Sequence, residues 1–354
     1  MSTYSETVRE LRSPGRIAQA PRSALAPMRG IRLAFGVMLP LALGACLGRY
    51  DYGVYAALGA LPSGFAAMLG EGRKKPTAVA LASVGMALGT FVGALAANTP
   101  ALLVLFIAAF AYAAGIGGAF SDRVAIAALQ WPGALLIATS TPDTPRQAAV
   151  RAGFVLAGGL FQAALVALAV HAERTATDAA SAPLPRRGAR EFAAHLAATI
   201  RAHVGFSTHH GQHALRLAVT AAIAQSAALL LGLAHPYWAA LTAVLVLKTE
   251  HVLTVRRALD RIGGTAVGIL LGLPLAALAH FGPAALLIGA GVAITLGYTV
   301  FAANYFLYSV FLTGFVVVLL DLLGFGAGQT VVPRLLATLL GGTIALVASH
   351  ARPS

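Results

Sequence analysis

The chain is short of acid. Its 354 residues hold 12 Asp and Glu against 25 Lys and Arg, and charged residues make up 10% of the composition. A soluble fold carries nearer a quarter, so this balance excludes an ordinary water-soluble domain architecture. Lysine is scarcer still, confined to Lys74, Lys75 and Lys248. Cysteine occurs once, at Cys46, which excludes a disulfide framework and any multi-cysteine zinc or iron-sulfur site. That thiol reads as packed and inert, since Leu43-Gly44-Ala45-Cys46 resembles a lipoprotein cleavage box only loosely. The sequence has no Gly-Lys-Ser/Thr phosphate loop, no Gly-x-Ser-x-Gly elbow and no paired-carboxylate arrangement. Neither an ATPase nor a familiar enzyme is therefore indicated, and no cofactor is implied. His203, His209, His210 and His213 lie close in sequence without an acidic or thiol ligand, so no metal site is assigned.

Apolar sequence is what the chain has in abundance, at 58% of its residues. Runs long enough to cross a bilayer fall near 31–48, 53–70, 77–97, 101–118, 124–140 and 150–170. A second set falls near 214–234, 236–252, 259–280, 283–300, 305–323 and 332–349. A segment in hydrocarbon must satisfy its own backbone hydrogen bonds, and no ten-residue alternating strands occur, so the spans read as helices. The fold class is all-α integral membrane, with about twelve transmembrane helices as two six-helix repeats.

A formal charge of +13 would point to nucleic acid in a soluble protein, but here the arginines stand at the ends of apolar runs and no nucleic-acid partner follows. With the N-terminus inside, 21 basic residues lie inside and only Arg49, Arg146, Arg151 and Arg334 lie outside. The positive-inside rule produces that asymmetry. The Arg- and Pro-containing residues 1–30 do not read as a conventional cleaved signal and form a basic cytoplasmic tail. Localisation in a bacterial inner membrane with both termini cytoplasmic is expected.

The halves repeat in sequence. Arg32-Leu33-Ala34 matches Arg216-Leu217-Ala218, Tyr55-Ala56-Ala57-Leu58 matches Trp238-Ala239-Ala240-Leu241, and Gly89-Thr90-Phe91-Val92-Gly93 matches Gly264-Thr265-Ala266-Val267-Gly268. An even number of spans per half gives parallel repeats related by an axis along the membrane normal. The bundles occupy 31–170 and 214–350, joined by a linker, 171–213, in which 190–204 reads as a short amphipathic helix.

The stretch from Pro236 through His251 to Thr265 carries most of the remaining information. Tyr237-Trp238-Ala239-Ala240-Leu241-Thr242, then Thr254, Arg257, Arg261, Gly264-Thr265 and Gly268, with His213-Ala214-Leu215-Arg216 ahead, resembles the fusaric-acid-resistance-like family of inner-membrane proteins, also called the aromatic acid exporter family. The close resemblance covers 213–272. It implies a transporter exporting organic anions, aromatic carboxylic acids among them. The sequence leaves open whether a periplasmic adaptor or a homo-oligomer takes part. Members commonly carry Arg where Gln212 stands, a Gln-Pro-Ser-like turn where Lys248-Thr249-Glu250 stands, and a sizeable soluble domain that this chain lacks. Substrate and coupling are therefore not carried across.

Independently of the resemblance, Arg257, Arg261 and Thr265 share one helical face at the mouth of the ninth span, where forked hydrogen bonds can hold a desolvated carboxylate. The same arginines also serve as positive-inside anchors. Tyr237 and Trp238 fit an interfacial aromatic belt or a stacking surface for substrate. Lys248, Glu250 and His251 at the inner end of the eighth span, and Asp321, are the candidates for gating or coupling. Gly85, Gly89 and Gly93, and Gly264, Gly268 and Gly272, place small residues on one face of the third and ninth helices for close packing. Tyr298, Phe301, Tyr305 and Tyr308 form one aromatic stripe if the turn near Asn304 stays helical. Gln130, Gln162 and Gln225 lie in mid-span, where each needs a partner. No carboxylate lies at the middle of a span, which counts against a buried proton relay and leaves a passive anion channel as the first alternative. A non-transporting scaffold of an envelope assembly is the second.

Overall fold

The computed structural model describes residues 21–68, 74–175, 198, 199, 201–203, 205, 207–322 and 327–350. These form twelve α-helices of ten residues or more and no strand. The first six are α1 (Pro27–Cys46), α2 (Tyr50–Phe65), α3 (Lys75–Ala96), α4 (Pro100–Ile116), α5 (Asp122–Ala138) and α6 (Pro145–Thr175). The second six are α7 (His209–Leu230), α8 (Tyr237–Val246), α9 (His251–Ala276), α10 (Pro283–Val300), α11 (Tyr305–Leu322) and α12 (Ala327–His350). Among the described residues, nine helices are long and apolar enough to cross a membrane, while α8 has only ten residues. The chain is a multi-pass membrane protein.

Local chemistry sets the helix ends. Pro27, Pro100, Pro145 and Pro283 open their helices, where a missing N–H is no loss and the fixed φ suits the first turn. Ser121, Thr208 and Asn304 accept from the backbone N–H groups of Val124, Gly211 and Leu307 and so cap α5, α7 and α11. Gly48 and Gly232 stop α1 and α7 in the same way. Their φ values are 65° and 63°, and in each turn the next residue's N–H returns to a carbonyl in the last helical turn, Arg49 to Gly44 and Leu233 to Ala228.

Helix neighbours recur in the same order in each half. In the first, α3 packs on α5 and α6, α2 on α1 and α6, and α4 on α5. In the second, α9 packs on α11 and α12, α8 on α7 and α12, and α10 on α11. Across the halves α4 packs on α7, and α10 packs on α1. Both large apolar cores accordingly mix helices from the two halves. Facing outward are large apolar side chains such as Phe35, Leu105, Leu168, Leu270, Ile288 and Val347, each more than half exposed, a surface suited to lipid.

Several expectations need correction. The eighth helix does not run to 252: α8 stops at Val246, and Leu247 turns extended, so Lys248 and Glu250 lie in a connection. The ninth begins at His251, not 259, because Glu250 is the last extended residue and Thr254 bonds back to its carbonyl. Arg257 and Arg261 are thus inside the helix. Cys46 is exposed, not packed, since it faces outward in the last turn of α1. The aromatic residues from 298 to 308 do not form one helical stripe, because the chain leaves the helix between Val300 and Tyr305. The region 190–204 lies almost wholly outside the described residues.

Candidate functional site

His251 and His350 mark one end of the second half: their rings lie 3.9 Å apart, and His251 Nδ1 is 2.7 Å from Ser349 Oγ. Arg261 stands ten residues along α9 from that end, and Arg334 sixteen residues back along α12, so their backbones lie about 15 Å and about 24 Å from it. Arg261 is therefore well inside the bundle, and Arg334 lies nearer its opposite end. Neither meets solvent or lipid, with exposures of 3% and 4%. The two charges interact with each other, and that of Arg334 also with Tyr237 and Tyr308.

The surroundings of these two guanidiniums are unusual. Arg334 lies 3.5 Å above the ring of Trp238, a cation–π contact that satisfies the face of the ion and none of its N–H donors. Among the described residues no carboxylate pairs with Arg261 or Arg334. Nε and one terminal nitrogen of Arg261, and Nε of Arg334, have no hydrogen-bond partner. The hydroxyls of Thr265 on α9 and of Ser309 and Thr313 on α11 are buried and equally unpartnered. Close packing explains why they meet: a Cβ at Gly264 would lie 2.6 Å from Ser309 Cβ, and one at Gly268 2.6 Å from Thr313 Cβ, so α9 and α11 are nearly in backbone contact. Gly272 continues this seam against Val317. On α3, Gly85, Gly89 and Gly93 face Trp131 and Leu135 of α5 in the same manner. A buried ion with unmet donors and no counter-ion costs several kcal/mol, a cost that a nearby negative charge would offset.

The other candidates separate. Arg257 does not join Arg261, because its guanidinium lies 4.0 Å above the ring of Tyr305 nearer the end of the bundle. Tyr237 and Trp238 are buried, at 7% and 6% exposure, so they belong to the interior and not to an interfacial belt. Lys248, Glu250 and His251 gather at the end marked by His350. Asp321 is at the far end of α11, about 24 Å along the helix from Tyr305, which rules out one continuous gate of all four. Arg216 donates to the carbonyls of Lys248 and Thr249 and so ties the α8–α9 connection to α7. Burial brings the Lys248 ammonium down to about 8, an effect to which the nearby Arg257 charge adds.

The aromatic side chains serve the seam between halves. Phe65 of α2 packs against Tyr298, Phe301 and Tyr308 at ring separations of 5.0, 4.7 and 5.2 Å, and the Tyr298 hydroxyl donates to Leu61 O at 2.6 Å. Of the mid-span amides, Gln130 donates to Ile126 O and Gln162 to Leu33 O, whereas the buried amide of Gln225 has no partner among the described residues. An open cleft lined by Arg29, Arg32 and Lys75 lies between α1, α3 and α6, and in it Arg32 pairs with Glu173 at 2.8 Å.

Sequence reasoning missed Arg334, Ser309 and Thr313. Arg334 counted only as an outside charge. A signal was present: Arg334 follows the Trp238 motif as Arg151 follows the matching Tyr55 motif, at the same separation of 96 residues.

Residues 218–348 match the family described as fusaric acid resistance protein-like. An uncharacterized protein of Haemophilus influenzae is 30% identical over 151 residues, which are 42% of this chain and 21% of that protein. The chain therefore spans about a fifth of the length of that curated relative. No solved structure matches the chain.

Proposed function

We propose, from the match of residues 218–348 to the fusaric acid resistance protein-like family and from the pair of uncompensated arginines, that this membrane protein exports organic anions. The family match supports a membrane transport or efflux role; the substrate class is our reading. The observation that carries it is the burial of Arg261 and Arg334 within the bundle with unpartnered donors and, among the described residues, no carboxylate. A substrate carboxylate supplies the missing charge and acceptors, and the Thr265, Ser309 and Thr313 hydroxyls offer further hydrogen bonds. Arg257 and Lys248 stand nearer the entrance, where they raise the local concentration of anions. Both guanidiniums are closed off in this conformation, so loading requires helices to move, as alternating access demands.

The architecture that supports this reading is two parallel six-helix repeats in an inner membrane, with both termini in the cytoplasm and the His251 end facing it. Shared motifs, matching glycine stops and recurring helix neighbours favour the duplication. The test is flux of benzoate from proteoliposomes containing the purified full chain. Arg261→Gln and Arg334→Gln should each cut flux at least tenfold with unchanged incorporation, and normal flux in both variants rejects the site.

A further inference from the structure

The two halves handle a buried arginine in opposite ways. In the first, Arg151 of α6 lies 4.9 Å above the ring of Tyr55, as Arg334 of α12 lies above Trp238, and the two rings occupy the same place in the repeated Ala-Ala-Leu motif. Arg151, however, is compensated. Its guanidinium pairs with Asp143 at 3.0 Å and donates to the carbonyls of Ala138 and Thr141 and to the Thr141 hydroxyl. Asp143 Oδ2 has no directed hydrogen bond, so it acts as a counter-charge laid beside the ion.

The seam glycines fix the register for the rest of the comparison. A Cβ at Gly89 would lie 2.7 Å from Trp131 O and 3.2 Å from Leu135 N; one at Gly264 would lie 2.7 Å from Phe306 O and 3.3 Å from Val310 N. Trp131 therefore corresponds to Phe306 and Leu135 to Val310. Ser309 and Thr313 then correspond to Ala134 and Ala138, and counting three residues back from each seam glycine pairs Arg261 with Met86. The counterparts of Arg261, Ser309 and Thr313 are thus apolar in the first half, where one arginine remains and a carboxylate from the chain itself neutralises it.

We infer that Asp143 is a built-in stand-in for the ligand: its carboxylate holds on Arg151 the position that an external carboxylate takes on Arg334, so the chain binds one carboxylate, in its second half, and the first half is a sealed copy. This rests on the reading of Arg334 as an anion site and adds the ligand's stoichiometry. Removing the Asp143 carboxylate reopens it to a small acid, because Asp143 is near the surface with a side-chain exposure of 13%.

The experiment is binding of formate and benzoate to the full-length chain in lipid nanodiscs, read by calorimetry and thermal shift. Wild type should take one equivalent, weakened at least tenfold by Arg334→Met. Undiminished binding in that variant removes the anion site itself, whatever the first half does. Asp143→Ala should take a second equivalent of formate, lost again in Asp143→Ala/Arg151→Met. If Asp143→Ala folds only when formate is supplied, that rescue is the same result. A single equivalent in Asp143→Ala, with the Arg334 site intact, overturns the stand-in and leaves the anion site standing. So does failure of Asp143→Ala to fold in formate where the double variant folds. A second equivalent obtained equally with chloride overturns the assignment to carboxylates.

Discussion

Replacing Arg261 with Met, the residue at the matching position of the first half, should make the ligand-free protein more stable. The guanidinium is 3% exposed, two of its nitrogens have no partner, and no carboxylate pairs with it among the described residues. Inserting an arginine at the centre of a transmembrane helix costs about 2.5–3.5 kcal/mol, and the unmet donors add to that. Methionine keeps much of the aliphatic stem, so little packing is lost to offset the relief. The expected gain is about 2–3 kcal/mol. Arg151→Met should move the other way by about 3 kcal/mol, because it strands Asp143 without its counter-charge. Reversible unfolding in bicelles without added anion measures both. Saturating benzoate should then stabilise wild type, by about 2.7 kcal/mol at a hundredfold excess over Kd, and leave Arg261→Met almost unmoved. If Arg261→Met destabilises the ligand-free protein as Arg151→Met does, Arg261 has a structural partner and the argument from uncompensated charge fails.

Arg257→Gln should change benzoate flux less than threefold, since that guanidinium rests on Tyr305 and not in the central cluster; a tenfold loss would place it with Arg261. Gly268→Leu should lower the amount of protein in the membrane severalfold, because even a Cβ there would lie 2.5 Å from Val310 O; immunoblotting of membrane fractions reads it. Lys248 holds a pKa of about 8 against 10.5 for an ordinary lysine. Between those values the unfolded chain binds more protons than the folded one, so stability should rise with pH from about 8 to 10.5, and Lys248→Met should abolish that rise. Imposing a pH gradient on vesicles should drive accumulation of benzoate above equilibrium. Downhill equilibration alone, with or without the gradient, would make the protein an anion channel.

Helix positions were legible because they depend on local quantities, apolar run length and the prolines and caps that bound it. The exceptions share a cause. The connection between the early end of α8 at Val246 and the early start of α9 at His251 is held by Arg216 reaching from α7 to the carbonyls of Lys248 and Thr249, a contact across 32 and 33 residues that leaves no periodic trace. The site was half legible for a related reason. Arg261 and Thr265 declared themselves by sharing a helix face, whereas Arg334 sits on another helix, and its partnership with Trp238 is a property of the bundle. Duplication offered the one sequence-level route to it. Once Tyr55 is matched to Trp238, the arginines 96 residues further on are a pair, and one difference is readable in sequence: Asp143 stands beside the first, and the sequence holds no acid between Asp321 and the second. An unpaired buried ion is a standing cost to folding, which is what makes the contrast between Arg151 and Arg334 informative. Where a repeat protein pairs a charge in one copy and exposes its equivalent in the other to no counter-ion, the unpaired copy is the place to look for the ligand.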